Sequence, residues 1–284
     1  MGKSTYRFLE AIDGMKIALI GAGNVATHMA EAFYGRGELC QVVARTEESA
    51  SRLAEKINRD LDLTGKDHCR CDAVTGLERL REDMDLYLIA VNDDSVECVA
   101  SMTPGYSGIW AHTSGSVSLD VFKGRKSKYG VFYPLQTFSR DVPVRFDNIP
   151  ILIEGSSRQV ADSLFGMASK ISKSVIAADS KTREAIHVAA VFACNFANLM
   201  WNEADRLLRS QGMDIRFMLP LLQATLDKLV VKTPREAMTG PARRGDMAVI
   251  DKHLVALPPD LKTVYSLLTE RIINLYKPNE QDRV

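Results

Sequence analysis

The stretch Gly21-Ala22-Gly23-Asn24-Val25-Ala26 decides the fold of this chain. It follows a β-rich apolar run, Lys16 to Ile20, and it opens a segment, residues 24–36, in which the apolar side chains recur at helical spacing. A strand, a glycine-rich turn and a helix in this order form the first unit of a dinucleotide-binding fold. The alternative is a glycine-rich turn that binds nothing.

Each small residue of this turn has a physical task. Gly21 permits the tight turn, and Gly23 lets the backbone approach a diphosphate without a Cβ in the way. Ala26 lets the helix pack close to the strand, and the free N–H groups at the start of the helix face the phosphates. We therefore predict that the pyrophosphate of a dinucleotide is bound by Gly21, Ala22, Gly23, Asn24 and Val25.

Apolar runs and amphipathic stretches alternate as far as residue 178. A helix is predicted from about Glu47 to Arg59. The further strands are predicted at Gln41–Ala44, Leu86–Val91, Ile109–His112, Gly130–Tyr133, Ile149–Ile153 and Ser174–Ala177. Strands that alternate with helices predict a doubly wound parallel sheet of the Rossmann type.

The pattern changes after residue 178. Residues 181–211 contain no Gly or Pro and have one long helical pattern, which ends at Gly212. Further helices are predicted at about 214–230, 246–256 and 260–276. We therefore predict an α/β domain over residues 1–178, which binds the cofactor, and an all-helical domain over residues 179–284.

The end of the second strand predicts which dinucleotide is bound. NAD sites usually have Asp or Glu there, to accept hydrogen bonds from the ribose hydroxyls. This chain has Arg45-Thr46 instead. A guanidinium can clamp a 2′-phosphate and the Thr hydroxyl adds a donor, so we predict NADP. The alternative is that Arg45 is a solvated charge, since Glu47 and Glu48 follow closely.

Polar residues at the ends of two later strands are predicted at the ligand-binding edge of the sheet. The backbone of Val91 and Asn92 is expected near the nicotinamide ribose, and Ser114 is expected to contact the cofactor. His112 could titrate near neutrality and act as an acid or base. A structural histidine, hydrogen-bonded in a loop, is the alternative.

Composition excludes several classes of protein. The 36 basic and 36 acidic residues cancel, which argues against a nucleic-acid partner and favours a small-molecule substrate. The five cysteines form no CxxC pair, and His68-Cys69-Arg70-Cys71 is the one local cluster of soft ligands, so no metal site is predicted. No apolar run has the length of a membrane span, and the N-terminal segment has no apolar core of the signal-peptide type, so we expect a soluble, cytoplasmic protein.

Seven segments resemble one known family. They are GAGNVA (21–26), ART (44–46), AVNDDSV (90–96), AHTSGS (111–116), YPLQTFS (133–139), HVAAVFACNFANLMW (187–201) and TGPARRGD (239–246). In the same order they are similar to Rossmann-like NADP oxidoreductases with a C-terminal domain of unknown function. These are relatives of deazaflavin-dependent NADP oxidoreductases and of pyrroline-5-carboxylate reductase. The resemblance implies a helical second domain of the 6-phosphogluconate-dehydrogenase type and a homodimer.

Two segments depart from the patterns of these relatives. Tyr133 stands where prephenate dehydrogenases have the His of a His-Pro-Met motif, and Arg243-Arg244 replace the Gly-Thr residues of a substrate loop in pyrroline-5-carboxylate reductase. Neither of those substrates is therefore expected. Whether a deazaflavin is the redox partner stays open.

The long helix carries two further candidate residues. In related β-hydroxyacid dehydrogenases a Lys and an Asn on the equivalent helix contact the substrate and relay the proton. No Lys lies in the stretch 187–201 here, so the resemblance supplies no proton donor, and His187 with Asn195 are the candidates to substitute. In a continuous α-helix Asn195 lies about 80° from His187, on the same side. The alternative is that the polar residues join helices, within the domain or across a dimer.

These observations predict an enzyme that transfers a hydride between NADP(H) and a small C=O or C=N substrate. Its catalytic residues are predicted to be His112, His187 and Asn195. The alternatives are a catalytically silent NADP-binding regulatory protein and a dimeric structural protein.

Overall fold

The computed structural model describes residues 14–33, 39–64 and 70–277. The chain divides into two compact units, the first ending at Asn198 and the second beginning at Leu199. The boundary predicted near residue 178 separates a cofactor-binding role from a substrate-binding role. It stays a prediction, because compactness does not measure these roles.

The first unit contains one sheet of eight strands in the order β3-β2-β1-β4-β5-β6-β7-β8. The strands are β1 Ile17–Ile20, β2 Leu39–Ala44, β3 Asp72–Thr75, β4 Leu86–Ile89, β5 Ile109–His112, β6 Tyr129–Pro134, β7 Ile151–Gly155 and β8 Val175–Ala177. The strands from β3 to β6 in this order are all parallel. The strand order reverses between β1 and β4, which is the point where Rossmann sheets bind ligands. The predicted Rossmann fold is confirmed, and strand β3 is an addition to the prediction.

Apolar side chains cover both faces of this sheet. Ile17 and Leu19 of β1 belong to one buried cluster, whereas Ala18 and Ile20 belong to the other. The helices of this part are α1 Asn24–Phe33, α2 Glu47–Thr64, α3 Asp93–Met102 and α4 Arg158–Ile171. Burial on both faces explains the near-continuous apolar runs in the sequence.

Strand β7 departs from the predicted parallel arrangement. It pairs antiparallel with β6, with Pro134 opposite Ile151, and β8 is parallel to β7. The segment between β6 and β7 has a 3-10 turn, Phe146–Asn148, and no α-helix. A parallel crossover usually needs a helix that covers the sheet. This segment has none, and the chain returns directly from the edge at which β6 ends. The residues of this return segment therefore lie at the carboxyl end of the parallel strands.

The remaining helices confirm the predicted helical second half. They are α5 Ser180–Ala190, α6 Ala197–Arg209, α7 Leu219–Asp227, α8 Pro234–Ala237, α9 Pro241–Arg244, α10 Met247–Ala256 and α11 Pro259–Tyr276. Between α5 and α6 the segment Val191–Phe196 is π-helical, whereas the sequence pattern predicts one α-helix. A π turn holds about one residue more than an α turn, so the 80° predicted between His187 and Asn195 does not apply.

The described part of the chain lacks two features. None of its helices is long and apolar enough to cross a membrane. In the same ranges no three His, Cys, Asp or Glu side chains are grouped as metal ligands. His68 and Cys69 of the soft-ligand cluster lie outside the described residues.

Candidate active site

A cleft of about 600 Å³ lies at the carboxyl edge of the parallel strands. It is lined by Ile20, Gly21, Ala22, Gly23, Val43, Ala44, Arg45, Thr46, Ser49, Gly76, Leu77, Ala90, Val91, Asn92, Ser95, Val99 and Arg140. Seven of the predicted cofactor-binding residues are among them: Gly21, Ala22, Gly23, Arg45, Thr46, Val91 and Asn92. The structure therefore brings the glycine turn, the end of β2 and the end of β4 together.

The two glycines of the turn have different roles. Gly21 has φ +127°, and an added Cβ would lie 2.2 Å from the carbonyl oxygen of Ala90. At Gly23 an added Cβ would meet no atom of the described residues within 4 Å. Since Gly23 lines the cleft, that Cβ would occupy cleft space. This open backbone at the start of α1 fits a diphosphate.

Arg45 stands in the cleft without a carboxylate partner among the described residues, and its side chain is exposed. The nearby Glu48 contacts Arg52, at 3.8 Å, rather than Arg45. The Thr46 hydroxyl accepts a hydrogen bond from the Ser49 N–H at 3.3 Å, which caps helix α2, and it lies 2.9 Å from the Ser49 hydroxyl. A phosphate beside Arg45 would thus meet one guanidinium and two hydroxyl groups.

Arg140 is a cleft residue that the sequence did not predict. It lies in the return segment between β6 and β7, and its guanidinium donates a hydrogen bond to the Ala22 carbonyl at 2.9 Å. The same segment is held by Asn24, whose side-chain amide donates to the Phe138 carbonyl at 3.1 Å. Arg140 directly follows the YPLQTFS segment, but only the antiparallel return brings it to the glycine turn.

Two predicted cofactor residues at the start of α1 do not line the cleft with their side chains. The Asn24 amide is occupied by the return segment, and Val25 packs against the apolar core. Their backbone N–H groups are among those that the first turn of a helix leaves without intrahelical partners. Any contribution to phosphate binding therefore comes from the backbone.

The segment after β5 is ordered by Ser114. Its hydroxyl accepts hydrogen bonds from the N–H groups of Ser116, at 3.1 Å, and Val117, at 3.0 Å. Its own N–H donates to Nδ1 of His112 at 3.2 Å. Ser114 is buried and is not among the cleft residues. Its polar groups hold the turn that carries Gly115 and Ser116.

His112 does not titrate near neutrality, which corrects that prediction. The side chain is fully buried and stacks on Phe122. Burial, and then the positive charge of Arg183, lower the pKa of His112 to about 3. The imidazole is therefore neutral at physiological pH, as in the alternative of a structural histidine.

Tyr133, at the end of β6, meets His187 of helix α5. The Tyr133 hydroxyl lies 2.8 Å from Nδ1 of His187, and the ring planes are inclined at 70°. Tyr133 is buried and His187 is half-buried. A Cβ on Gly115 would lie 2.6 Å from Nδ1 of His187 and 2.8 Å from the Tyr133 ring. The glycine thus lets the segment after β5 pack directly on this Tyr–His pair.

Helix α5 is fixed to the sheet one turn before His187. The fully buried Arg183 forms an ion pair with Glu154 of β7 and donates to the Val117 carbonyl. The Ser180 hydroxyl donates to Glu154 at 2.8 Å and accepts from the Leu119 N–H at 3.1 Å. Residues four apart share one helix face, so the anchor at 183 places His187 over the end of β6.

Asn195 lies in the π-helical segment and is exposed. It has no hydrogen-bond partner within the described ranges. The structure thus joins His187 to Tyr133 and places His112 beneath the neighbouring turn, but it shows no contact that joins Asn195 to them.

Two family models match the sequence. The model described as NADP oxidoreductase, coenzyme F420-dependent, matches residues 16–111. The model of a domain of unknown function, DUF2520, matches residues 149–272. Among curated proteins none has significant similarity to this chain.

Three solved structures show how far the similarity extends. A Bacteroides fragilis protein, named as a putative NADP oxidoreductase, is 37% identical with a TM-score of 0.82, over 93% of this chain and 99% of that one. A Thermotoga maritima protein is 19% identical with a TM-score of 0.74, over 92% and 100% of the two chains. A reductive aminase from Aspergillus terreus, in complex with NADPH and ethyl-5-oxohexanoate, is 16% identical with a TM-score of 0.68, over 92% and 94%. The last two identities are low, so these likenesses concern the fold alone.

Proposed function

The chain belongs to the family of NADP oxidoreductases that carry a C-terminal DUF2520 domain, and from this premise we propose that it transfers a hydride between NADP(H) and a small carbonyl or imine substrate. The observation that carries the proposal is the cleft of about 600 Å³ that holds both the Gly23 turn and Arg45. An open helix start and a guanidinium are the groups that a dinucleotide with an additional phosphate requires. The reductive aminase that shares this fold is itself in complex with NADPH.

The cofactor-binding residues divide by the part of NADP that they would bind. We assign the pyrophosphate to the glycine turn with Arg140, the 2′-phosphate to Arg45 and Thr46 with Ser49, and the nicotinamide ribose to the end of β4. The sequence-predicted residues in this proposal are Gly21, Ala22, Gly23, Asn24, Val25, Arg45, Thr46, Val91, Asn92 and Ser114. Asn24 and Val25 act through the backbone, and Ser114 acts by ordering its turn.

NADPH supplies the hydride when it is bound, and the residues of the chain orient the substrate and move one proton. We assign the proton transfer to His187, whose half-buried side chain lies at the sheet edge. Asn195 is proposed as a second substrate contact. His112 acts by holding the Ser114 turn, since it stays neutral.

Calorimetric titration with NADPH and NADH tests the cofactor half of the proposal. Arg45→Ala removes a charge-assisted contact, so we expect about tenfold weaker binding of NADPH and unchanged binding of NADH. Arg52→Ala is the matched control. Arg52 is an exposed arginine on helix α2, which begins directly after Arg45 and Thr46, and it is not among the cleft residues. Equal losses for both nucleotides, or no loss with Arg45→Ala, would contradict the assignment of the 2′-phosphate.

A substrate panel tests the reaction. NADPH oxidation is followed at 340 nm with small ketones, aldehydes and cyclic imines, and a deazaflavin is included as an alternative hydride partner. Turnover of any carbonyl or imine supports the proposal. Tight NADPH binding without turnover on the whole panel would favour the second candidate, a catalytically silent NADP-binding regulatory protein.

We also propose that the chain forms a homodimer through its second unit. Large apolar side chains are exposed there, among them Val230, Val231, Val255 and Leu267, with exposed fractions of 84, 79, 83 and 65%. A contiguous exposed apolar patch marks an interface with another protein, and the many large apolar side chains exposed in this unit favour one. Light scattering after size exclusion would give twice the chain mass if the proposal holds. The predicted cytoplasmic location and the absence of a nucleic-acid partner stay predictions.

A further inference from the structure

The Tyr133–His187 pair is built so that its hydrogen bond has one direction. Tyr133 is buried, and within the described residues the hydrogen-bond partner of its hydroxyl is Nδ1 of His187, at 2.8 Å. Burial, and then the charge of Asp93, raise the pKa of Tyr133 to about 12, so the phenol keeps its proton. Because Nδ1 is the partner of this hydroxyl among the described residues, the O–H donates its proton to Nδ1, and a neutral imidazole then carries its own proton on Nε2.

The surroundings of His187 leave the opposite side of its ring open. Gly115 packs against the Nδ1 side, where an added Cβ would lie within 2.8 Å of Nδ1 and Cγ. Nε2 has no hydrogen-bond partner in the described part of the chain, and the side chain is half-buried. An N–H group at this position is available to a substrate at the carboxyl edge of β5 and β6.

We propose that Tyr133 holds His187 as the Nε2–H tautomer, and that this N–H gives the proton that a carbonyl oxygen or imine nitrogen needs. The inference rests on the proposed oxidoreductase function and adds a residue to it. His187 is the catalytic residue, because its Nε2 meets the substrate. Tyr133 acts through His187 and is a positioning residue.

Tyr133 and His187 together supply the proton that the product needs. As a ketone carbon receives the hydride, the Nε2–H bond breaks and an O–H bond forms on the product oxygen. The Tyr133 O–H bond breaks and an N–H bond forms at Nδ1, so the imidazole stays neutral. The Nδ1 proton then returns to the Tyr133 phenolate and Nε2 takes one proton from solvent, which restores the first tautomer. A phenolate is a far weaker base than an alkoxide, so the transfer is favourable even with a raised pKa.

Nitrogen NMR of the free protein tests the tautomer without any turnover. With ¹⁵N-labelled histidine, the His187 signals are assigned from their loss in His187→Gln. We expect a protonated Nε2 and an unprotonated Nδ1 in the wild type, and a mixture of the two tautomers in Tyr133→Phe. A proton on Nδ1 in the wild type, or unchanged His187 signals in Tyr133→Phe, would overturn the inference.

A pair of substrates tests the proton transfer. Reduction of a ketone needs one proton, whereas reduction of a preformed N,N-dialkyl iminium ion gives a tertiary amine and needs none. We expect Tyr133→Phe to lower kcat for the ketone about tenfold, the effect of one lost hydrogen bond, and to change kcat for the iminium ion less than about twofold. Equal losses on both substrates would show a general structural defect and overturn the relay.

Tyr265→Phe is the matched control. Tyr265 makes the same contact with His253, from its hydroxyl to Nδ1 at 2.7 Å, in the second unit. We expect this variant to leave two quantities unchanged: the ratio of kcat for the ketone to kcat for the iminium ion, and the NMR signals of His187. Absence of turnover in the wild type would count against the proposed function, while the NMR result would still decide whether Tyr133 sets the tautomer.

Discussion

The molecule contains two Tyr–His pairs with nearly the same geometry in different surroundings. In Tyr133–His187 and in Tyr265–His253 the hydroxyl lies 2.8 and 2.7 Å from Nδ1, and the ring centroids are 5.9 Å apart in both. Tyr133 is buried and His187 half-buried, whereas Tyr265 is half-buried and His253 exposed. The first pair lies at the carboxyl edge of a parallel sheet, and the second joins helices α10 and α11.

The difference shows that the contact alone does not make a site. An exposed Tyr–His hydrogen bond competes with water, so it does not fix a tautomer strongly. At the sheet edge, burial makes the hydroxyl keep its proton, Gly115 closes one side of the imidazole, and the anchored helix α5 fixes its position. Four substitutions, three of them with a matched counterpart, sharpen this comparison.

The largest effect is expected when the Arg183–Glu154 ion pair, which anchors the helix that carries His187, is removed. Arg183→Met leaves Glu154 as a largely buried carboxylate without its partner, so we expect a loss of about 3 kcal/mol in the free energy of unfolding. Arg206→Met is the counterpart in the second unit. It removes an exposed ion pair with Asp260, with side chains 47 and 62% exposed, and should cost less than about 1 kcal/mol. Urea unfolding measures both, and similar losses would contradict the role of the buried anchor.

Removal of each histidine should separate the two pairs next. We expect His187→Phe to lower kcat for ketone reduction about a hundredfold, because general acid catalysis is lost. His253→Phe should change kcat less than about twofold. Steady-state assays at saturating NADPH measure kcat of each variant relative to the wild type. Equal losses in the two variants would contradict the distinction between the two Tyr–His pairs.

A smaller effect is expected from Gly115→Ala. The new Cβ would meet His187 and Tyr133 at less than 3 Å, so their hydrogen bond must shift. We expect about a tenfold lower kcat for the ketone with unchanged affinity for NADPH, since Gly115 is not a cleft residue. Gly105→Ala is the control, because its Cβ would make an ordinary contact at 3.6 Å. Weaker NADPH binding in Gly115→Ala would place this turn in the cofactor site instead.

The smallest effect concerns His112, the buried histidine beside the first pair. Its folded-state pKa of about 3 lies below the ordinary value of 6.5, so the unfolded chain binds a proton first as the pH falls. The stability that neutral His112 contributes is present above pH 6.5 and is lost between 6.5 and about 3. His112→Gln should therefore lose less of its Tm between pH 7 and pH 4 than the wild type does. Parallel Tm curves for the two proteins would contradict the lowered pKa.

The sequence predicted the cofactor half of the candidate site more completely than the proton-transfer half. Gly21, Gly23 and Arg45 follow from local requirements, since a turn, a backbone approach and a charge at a strand end are visible in neighbouring residues. His187 is a candidate through a resemblance alone, and its partner Tyr133 stands out in the sequence only as a departure from another motif. No local pattern signals a contact between residues 54 positions apart.

Two departures from the predicted elements explain why the sequence does not predict the position of Arg140 or the orientation of Asn195. The antiparallel return of β7 brings Arg140 to Ala22, a residue 118 positions away. The π-helical segment changes the face that Asn195 presents relative to His187. The spacing of apolar residues predicts that a strand or a helix exists. It does not show whether a strand pairs parallel or antiparallel, or whether one helical turn holds an additional residue.

The sequence by itself determined the Rossmann sheet, the glycine turn and the preference for a phosphorylated dinucleotide. These features depend on sterics, apolar spacing and charge within a few consecutive residues. Only the tertiary structure decided that Tyr133, Gly115 and His187 meet, that Arg140 enters the cleft and that His112 stays neutral. These outcomes depend on burial and on hydrogen bonds between distant segments, which the folded chain selects as a whole.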